Sequence, residues 1–146
     1  MRRWRRRLPT DREILAAIYK RYSAKYAEVS TSKDTESSDN RIYLPVDLAA
    51  VADELRVDGN LVFGRLVYYL DRKYAFRSER DGSWTYLLWL RFDRPEGRHC
   101  INFPLMASVL AGLEEAHHSV NWTRRLAIAA FAVSLAGFLL SLAKAL

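Results

Sequence analysis

Apolar residues at helical spacing first appear after a basic N-terminal segment. Thr10 and Glu13 form the pattern of a capping box, in which each residue's side chain accepts a hydrogen bond from the other's backbone N–H. This pattern predicts a helix that begins there and runs to about Tyr26. The three- and four-residue spacing of its apolar residues defines one face, consisting of Leu15, Ile18, Tyr19, Tyr22 and Tyr26. Residues 28–40 hold a single apolar residue and show no periodicity, which predicts a flexible loop.

Two further helices are predicted between the loop and the middle of the chain. Pro45 disfavours helix in the residue before it, so a short extended segment is expected at 42–45. Asp47 can cap a second helix over about 48–55. A tight turn at 56–59 then leads into a third helix over about 60–74.

The next segment has the pattern of a small antiparallel sheet. Asp81-Gly82 between two extended stretches predicts a hairpin whose two turn residues both have positive φ. Its second strand is expected to continue to Phe92. A turn at 95–97 and a returning strand at 98–103 follow, and Pro104 is expected to end that strand before a helix over about 105–118.

The last part of the chain has the pattern of a membrane helix. The eighteen residues 126–143 carry no charge and would span about 27 Å as a helix, close to the thickness of a bilayer core. Trp122, Arg124, Arg125 and Lys144 flank this segment as interfacial residues would. The alternative is a helix buried in a soluble bundle. The excess of Lys and Arg before the segment predicts a single-pass, tail-anchored membrane protein whose N-terminal domain is cytoplasmic.

Small residues recur along one side of the C-terminal helix. The spacing of three and four predicts a continuous stripe, consisting of Ala127, Ala130, Ser134, Gly137 and Ser141. Stripes of this kind let two helix backbones approach closely. The sequence therefore predicts a homo-oligomer that associates through this stripe.

The order of helix, short strand, helix, turn, helix and hairpin resembles the winged-helix branch of the helix-turn-helix superfamily. The residues that carry the resemblance are 48–58 together with Val62 and Leu66. Ala52 matches a small residue of the family, Arg56 stands where a turn glycine is usual, and apolar residues match at Val51, Leu55, Val57 and Val62. The resemblance covers about residues 10–92 and implies that the Asp81-Gly82 hairpin is the wing. It also implies DNA binding, although the fold serves in protein–protein contacts as well.

The predicted fold class is α+β. A winged-helix-like domain of three helices and a small antiparallel sheet is followed by a helix and one transmembrane helix. The predicted divisions are a basic tail at 1–9, the winged-helix-like domain at 10–103, a connecting helix at 104–121 and the membrane anchor at 122–146.

The third helix is unusually apolar for one that reads DNA. Eight of the ten residues from Leu61 to Leu70 are apolar or aromatic, whereas readers of the major groove need polar side chains. The inward face is either Val62, Leu66 and Tyr69, or Phe63, Leu66, Val67 and Leu70. Each choice leaves large apolar residues outside, which predicts contact with a protein partner through Leu61, Phe63, Val67 and Tyr68. The alternative is DNA binding through Asn60, Arg65, Arg77 and Arg80.

The net charge of +6 belongs mainly to the N-terminus. Residues 1–7 contain five of the 23 Lys and Arg residues, and the remaining 18 nearly balance 17 Asp and Glu residues. The body of the chain is therefore close to neutral. The tail is expected to contact an anionic surface, lipid or nucleic acid, or to be merely solvated; its candidate residues are Arg2, Arg3, Trp4, Arg5, Arg6 and Arg7.

The sequence shows no catalytic arrangement, and no cofactor is expected. The single cysteine, Cys100, excludes an intramolecular disulfide and a Cys-only zinc site. Glu114–His117 and Glu115–His118 have the spacing found in di-iron helices, but such a site needs further carboxylates on neighbouring helices. The predicted function is a non-enzymatic, membrane-tethered interaction or regulatory module that self-associates. The alternatives are a membrane-bound DNA-binding transcriptional regulator and a membrane-disrupting effector.

Overall fold

A computed structural model describes residues 7–31, 42–90 and 99–145, with the side chains of the last helix as far as residue 135. The chain divides into two compact units, Met1–Ala111 and Gly112–Leu146. The helices are α1 (Asp11–Thr31), α2 (Leu48–Leu55), α3 (Gly59–Gly64, continued by a π-helical section Arg65–Asp71 and by Arg72–Tyr74) and α4 (Phe103–Ala145). The strands are β1 (Tyr43–Pro45), β2 (Phe76–Arg77), β3 (Trp84–Thr85), β4 (Leu88–Leu90) and β5 (His99–Asn102).

The strands form two antiparallel sheets. The larger sheet has the order β1-β5-β4, with Leu44 opposite Ile101 and Leu88 opposite the same residue on the other side. The smaller sheet is the β2–β3 hairpin, which pairs Phe76 with Thr85 and Arg77 with Trp84. The predicted Asp81-Gly82 hairpin is therefore a sheet of its own, and the hairpin that joins β1 is β4–β5.

One apolar core holds the first unit together. All three of its early helices, the larger sheet and the first turns of α4 contribute side chains to it. Its fully buried large side chains are Ile14, Leu15, Ile18, Val51, Val62, Leu66, Leu70, Leu87, Cys100, Ile101 and Met106. On α1, Tyr19 and Tyr26 stack on the Phe103 ring at centroid distances of 5.6 and 4.5 Å. Three of the five predicted face residues of α1 thus pack outside the deepest layer, because Tyr19 is exposed and Tyr22 and Tyr26 are half-buried.

The predicted capping box of α1 is confirmed. The Thr10 backbone N–H donates to Glu13 Oε2 at 2.8 Å, and the Glu13 N–H donates to Thr10 Oγ1 at 3.2 Å. The helix is longer than predicted and ends at Thr31, so residues 28–31 of the predicted loop are helical. The hydroxyls of Ser30 and Thr31 donate to the Ala27 carbonyl, which satisfies an acceptor in the last turn. Residues 32–40 of the predicted loop lie outside the described part of the chain.

The turn between α2 and α3 is built as the sequence indicates. Asp47 Oδ1 accepts hydrogen bonds from the Ala49 and Ala50 N–H groups at 2.9 and 3.1 Å, which confirms the predicted cap. Arg56 ends α2 in the left-handed conformation, with φ 58° and ψ 46°. The Val57 N–H then donates to the Ala52 carbonyl at 3.0 Å, as in a glycine-ended helix.

Replacing Arg56 with glycine is expected to stabilise the domain by about 0.5–1 kcal/mol. A side chain in the left-handed region costs about 1–2 kcal/mol, of which the greater flexibility of unfolded glycine offsets a part. Urea unfolding followed by circular dichroism measures the change, with Arg56→Ala as the control that keeps a Cβ. An equal effect of both variants would show that the side chain of Arg56, and not its backbone, sets the difference.

The π-helical section explains why neither predicted inward face of α3 is correct. Val62, Leu66 and Leu70 are fully buried, at a constant spacing of four. An ordinary helix would rotate the third of these residues away, whereas the wider π turn keeps it in line. Tyr69 is consequently exposed, and Phe63 and Val67 are half-buried.

The β2–β3 hairpin is confirmed, but its turn and its second strand differ from the prediction. In the turn, Gly82 has positive φ (70°), whereas Asp81 does not. Arg56 is the only residue other than glycine with positive φ among the described residues. The second strand is interrupted after Thr85 because the Leu87 and Leu88 N–H groups donate to Asp71 Oδ1, at 2.7 and 3.0 Å. The predicted turn at 95–97 lies outside the described residues.

One helix replaces the two elements predicted at the C-terminus. α4 begins at Phe103, where Asn102 Oδ1 accepts from the Leu105 N–H at 3.1 Å. Pro104 therefore occupies the first turn of a helix, a position that does not need its missing N–H. Phe103, Met106 and Val109 join the core of the first unit.

The predicted membrane anchor is contradicted. Among the described residues, no helix combines the length and the apolar character needed to cross a membrane. This finding contradicts the predicted transmembrane helix and the predicted membrane localisation. The predicted membrane-flanking roles of Trp122, Arg124 and Arg125 depended on that helix. The side chain of Lys144 lies outside the described residues.

Candidate functional site

The outer surface of α3 exposes large apolar and aromatic side chains. Leu61 is 46% exposed, Tyr68 is 71% exposed, and Tyr69 is also exposed. Val62, Leu66 and Leu70 anchor the opposite side of the same helix in the core. We call the exposed side the α3 face; it consists of Asn60, Leu61, Phe63, Arg65, Tyr68 and Tyr69.

Phe63 connects the α3 face to a shallow cleft. Its ring meets the Tyr68 ring edge-on at 6.4 Å and the His99 ring at 5.4 Å. The cleft has a volume of about 370 Å³ and is lined by Leu48, Ala49, Asp58, Gly59, Asn60, Phe63 and His99. Its lining combines apolar surface with a few polar groups, which suits a protruding side chain of a partner.

Arg65 is held in place by two neighbours. Its Nε donates to Asp11 Oδ1 at 2.6 Å, and its Cζ lies 3.8 Å from the centre of the Tyr69 ring. The hydrogen bond to Asp11 raises the pKa of Arg65, although partial burial acts in the opposite direction. Arg65 therefore links the first turn of α1 to α3, and it forms an ion pair with the Asp11 carboxylate.

A second cation lies about two turns further along the same helix. Lys73 Nζ is 5.6 Å from the Tyr69 ring centre and 5.1 Å from that of Tyr74. A hydrogen bond to Tyr74 raises the pKa of Lys73, and the nearby Tyr69 and Asp11 add to the effect. α3 thus places two cations, Arg65 and Lys73, near the Tyr69 ring.

The residues predicted for DNA binding lie in two places, Asn60 and Arg65 on α3 and Arg77 and Arg80 on the β2–β3 hairpin. Asn60 is exposed at the start of α3, where its backbone N–H donates to Asp58 Oδ1 at 2.8 Å. Arg77 Nε donates to the Gly82 carbonyl at 2.9 Å within the hairpin, and Arg80 is exposed in the hairpin loop. Of these four residues, Arg65 and Arg77 are engaged inside the protein, which reduces their freedom to reach a base edge.

The partner-contact prediction contains two exposed and two half-buried residues. Leu61 and Tyr68 are on the surface, whereas Phe63 and Val67 face partly inward. Tyr69 was missed because one of the two predicted registers placed it in the core. The π turn that exposes it has no clear signal in the sequence.

Sequence reasoning also missed an aromatic surface on the β2–β3 hairpin. Phe76, Trp84 and Tyr86 are exposed, and the Trp84 and Tyr86 rings stack at a centroid distance of 6.2 Å and an angle of 22°. Trp89 is exposed on β4 and meets the Tyr43 ring edge-on at 5.2 Å. Aromatic residues at alternate positions of the second strand, Trp84 and Tyr86, were the signal that could have found this surface.

The described part of the second unit is a helix with exposed apolar side chains. These are Val120, Trp122, Leu126, Ile128, Phe131, Val133 and Leu135. Ala127, Ala130 and Ser134 of the predicted small stripe are exposed as well, and the side chains of Gly137 and Ser141 lie outside the described residues. The three described residues of the stripe are therefore accessible on this helix.

The arginine tail is described only at its last residue. Arg7 Nη2 lies 2.8 Å from Glu13 Oε1, which ties it to the first turn of α1. Arg2, Arg3, Trp4, Arg5 and Arg6 lie outside the described residues. The contact of the tail with an anionic surface stays a prediction.

The described residues offer little for metal or covalent chemistry. Within residues 7–31, 42–90 and 99–145, no group of three or more His, Cys, Asp and Glu side chains could hold a metal ion. Cys100 is buried. His117 Nε2 is 3.0 Å from Asn121 Nδ2, a contact along one helix face and not the carboxylate setting of a di-iron site.

Comparison with known proteins adds no relative to this picture. No protein-family model, no curated protein and no solved structure matches the chain. The α3 face therefore has to be interpreted from its own chemistry.

Proposed function

We propose that the chain is a non-enzymatic interaction module, built on a winged-helix-like domain, that binds a protein partner and self-associates. The observation that carries this proposal is the exposed α3 face, with Leu61 and Tyr68 presented on a helix whose other side is fixed in the core. Aromatic residues and arginine dominate the energetic centres of protein interfaces. Tyr68, Tyr69 and Arg65 supply that composition here.

The order of elements supports the winged-helix-like interpretation. A short strand, two helices joined by a turn, and a hairpin that pairs back on the strand follow one another along the chain. On this interpretation β4–β5, and not the Asp81-Gly82 hairpin, corresponds to the wing, because β5 pairs with β1. The fold alone does not decide between nucleic acid and protein as the partner.

The state of Arg65 favours a protein partner over a DNA sequence. A reader of guanine needs a free guanidinium aimed outward, whereas Asp11 holds this one at 2.6 Å and Tyr69 stacks on it. The neutral body of the chain points the same way, since phosphate contacts supply much of the affinity for DNA. The membrane-bound regulator and the membrane-disrupting effector both depended on the contradicted anchor, and neither is proposed.

Self-association rests on the exposed C-terminal helix. Its accessible small residues, Ala127, Ala130 and Ser134, lie beside large apolar side chains such as Phe131. Burial of such side chains stabilises an assembly by about 25 cal/mol per Å². The stripe is therefore proposed as the surface on which copies of the chain meet.

A photo-crosslinking amino acid at position 68 is expected to give a discrete adduct with a second protein. The same group at Ala130 is expected to give an adduct of twice the chain's mass, and at Ala129, off the stripe, much less. Mass spectrometry of the adducts from cells that naturally contain the chain is the measurement. Leu61→Asp should abolish the position-68 adduct and leave the Ala130 adduct unchanged. Indiscriminate labelling at 68, unaffected by Leu61→Asp, would contradict the proposed interface.

A further inference from the structure

The β2–β3 hairpin presents aromatic and cationic side chains on one face. Arg77 and Trp84 are cross-strand partners and therefore lie on the same side of the hairpin. Tyr86 follows two residues after Trp84, and the stacked rings place it beside Trp84 on that side. Trp84 is 56% exposed and Tyr86 is 40% exposed. We call this surface, made of Arg77, Trp84 and Tyr86, the hairpin face.

The hairpin face carries arginine beside its aromatic rings. Residues 76–86, the hairpin itself, hold two Arg residues against two Asp and Glu residues, so their formal charges balance. One of the two, Asp81, is bound within the loop, where its Oδ1 accepts from the Ser83 N–H at 3.1 Å and from the Ser83 hydroxyl at 2.8 Å. Arg77 is steadied by its bond to the Gly82 carbonyl, which leaves its Nη groups as donors for a ligand.

We propose that the hairpin face binds single-stranded nucleic acid without sequence preference. Successive bases would stack on Trp84 and Tyr86, and phosphates would lie near Arg77 and Arg80. Surfaces that bind single strands combine exposed aromatic rings with positive charge, because every base has a π face and every linkage has a phosphate. The five arginines of residues 1–7 add positive charge elsewhere on the chain.

The combination of exposed rings with neighbouring arginines favours a nucleic acid over a protein as the ligand of this face. Trp, Tyr and Arg also occur at protein interfaces, but there the rings fill pockets of the partner. Here the two rings stack within 22° of parallel and both remain exposed, so each offers π surface to a base. This site is separate from the α3 face, so its failure would leave the proposed partner interface standing.

Fluorescence anisotropy with labelled oligonucleotides of about 20 nucleotides tests the proposal. The probes are oligo(dT), oligo(rU) and a duplex of the same length, titrated with the full-length chain at about 50 and 200 mM salt. At least one single-stranded probe is expected to bind more tightly than the duplex. Trp84→Ala should weaken that binding about tenfold, and Trp84→Phe should retain most of it. A preference for oligo(dT) or oligo(rU) would identify the ligand as DNA or RNA.

Tyr68→Ala is the matched control, because it removes an exposed aromatic ring from the α3 face instead. Its binding should equal that of the unaltered chain, and circular dichroism should show both alanine variants folded. Absence of binding to every probe would overturn the proposal. Equal binding of duplex and single strands that Trp84→Ala leaves unchanged would overturn it too, since the arginine tail alone would explain it. If Trp84→Ala removed the protein adduct formed at position 68 and left oligonucleotide binding unchanged, the hairpin face would be a protein interface instead.

Discussion

Leu66→Ala is expected to lower the free energy of unfolding by about 3 kcal/mol. The side chain is fully buried at the centre of α3, between residues of the same helix that also point into the core. Truncation of a buried leucine removes its transfer free energy and leaves a cavity, and such changes cost about 2–5 kcal/mol. Urea unfolding followed by circular dichroism measures the loss as a lower midpoint with an unchanged slope.

Leu61→Ala is the matched control for that experiment. It removes the same atoms from the same helix, but from a side chain that is 46% exposed. We expect a change below about 1 kcal/mol in stability. A loss equal to that of Leu66→Ala would mean that Leu61 is covered in the folded chain, and the α3 face would then not be available to a partner.

Asp71→Ala is expected to destabilise the domain by about 2–4 kcal/mol. One carboxylate oxygen accepts the Leu87 and Leu88 N–H groups, at 2.7 and 3.0 Å, in a partly buried setting. Hydrogen bonds to charged groups contribute about 1.5–3 kcal/mol each, and the two donors would be left without this acceptor. Asp71 also connects the end of the π-helical section to β4, because its carboxylate fixes the backbone at the first residue of that strand, Leu88.

Two variants separate the acceptor from the charge. Asp71→Asn keeps an oxygen at the same position and should lose about half as much stability as Asp71→Ala. Glu79→Ala removes an exposed carboxylate from the hairpin loop and should change stability by less than about 0.5 kcal/mol. Thermal unfolding of the three variants side by side measures the order. A drop for Glu79→Ala as large as for Asp71→Ala would point to overall charge as the cause.

Helix capping could be predicted from the sequence. Thr10, Glu13 and Asp47 each act within three residues of their own position, and their bonds form as expected. A turn was predicted at 56–59, but the left-handed conformation of Arg56 within it was not. The capping bonds depend on short-range geometry, which a linear pattern of residues records directly.

Long-range choices could not be predicted in the same way. β5 pairs with β1, which is distant in the sequence, and Asp71 Oδ1 accepts from the Leu87 N–H sixteen residues later. The inward face of α3 depends on a π turn, for which the residues 65–71 give no clear signal. The C-terminal helix illustrates a third limit, because hydropathy alone indicated a membrane anchor, whereas no helix among the described residues is long and apolar enough to cross a membrane.

The π turn has a consequence for how freely α3 can vary. By keeping Val62, Leu66 and Leu70 in line, it confines the core contribution of the helix to three side chains. Apart from Asp71, which anchors Leu87 and Leu88, the exposed positions from Gly59 to Tyr74 can then accept substitutions with little loss of stability, since exposed changes cost about 0.5 kcal/mol or less. In a saturation mutagenesis experiment scored for folding, α3 should show four intolerant positions, the three core residues and Asp71, in a helix whose exposed positions are permissive. Binding specificity and folding are thereby assigned to different residues, so one can change without the other.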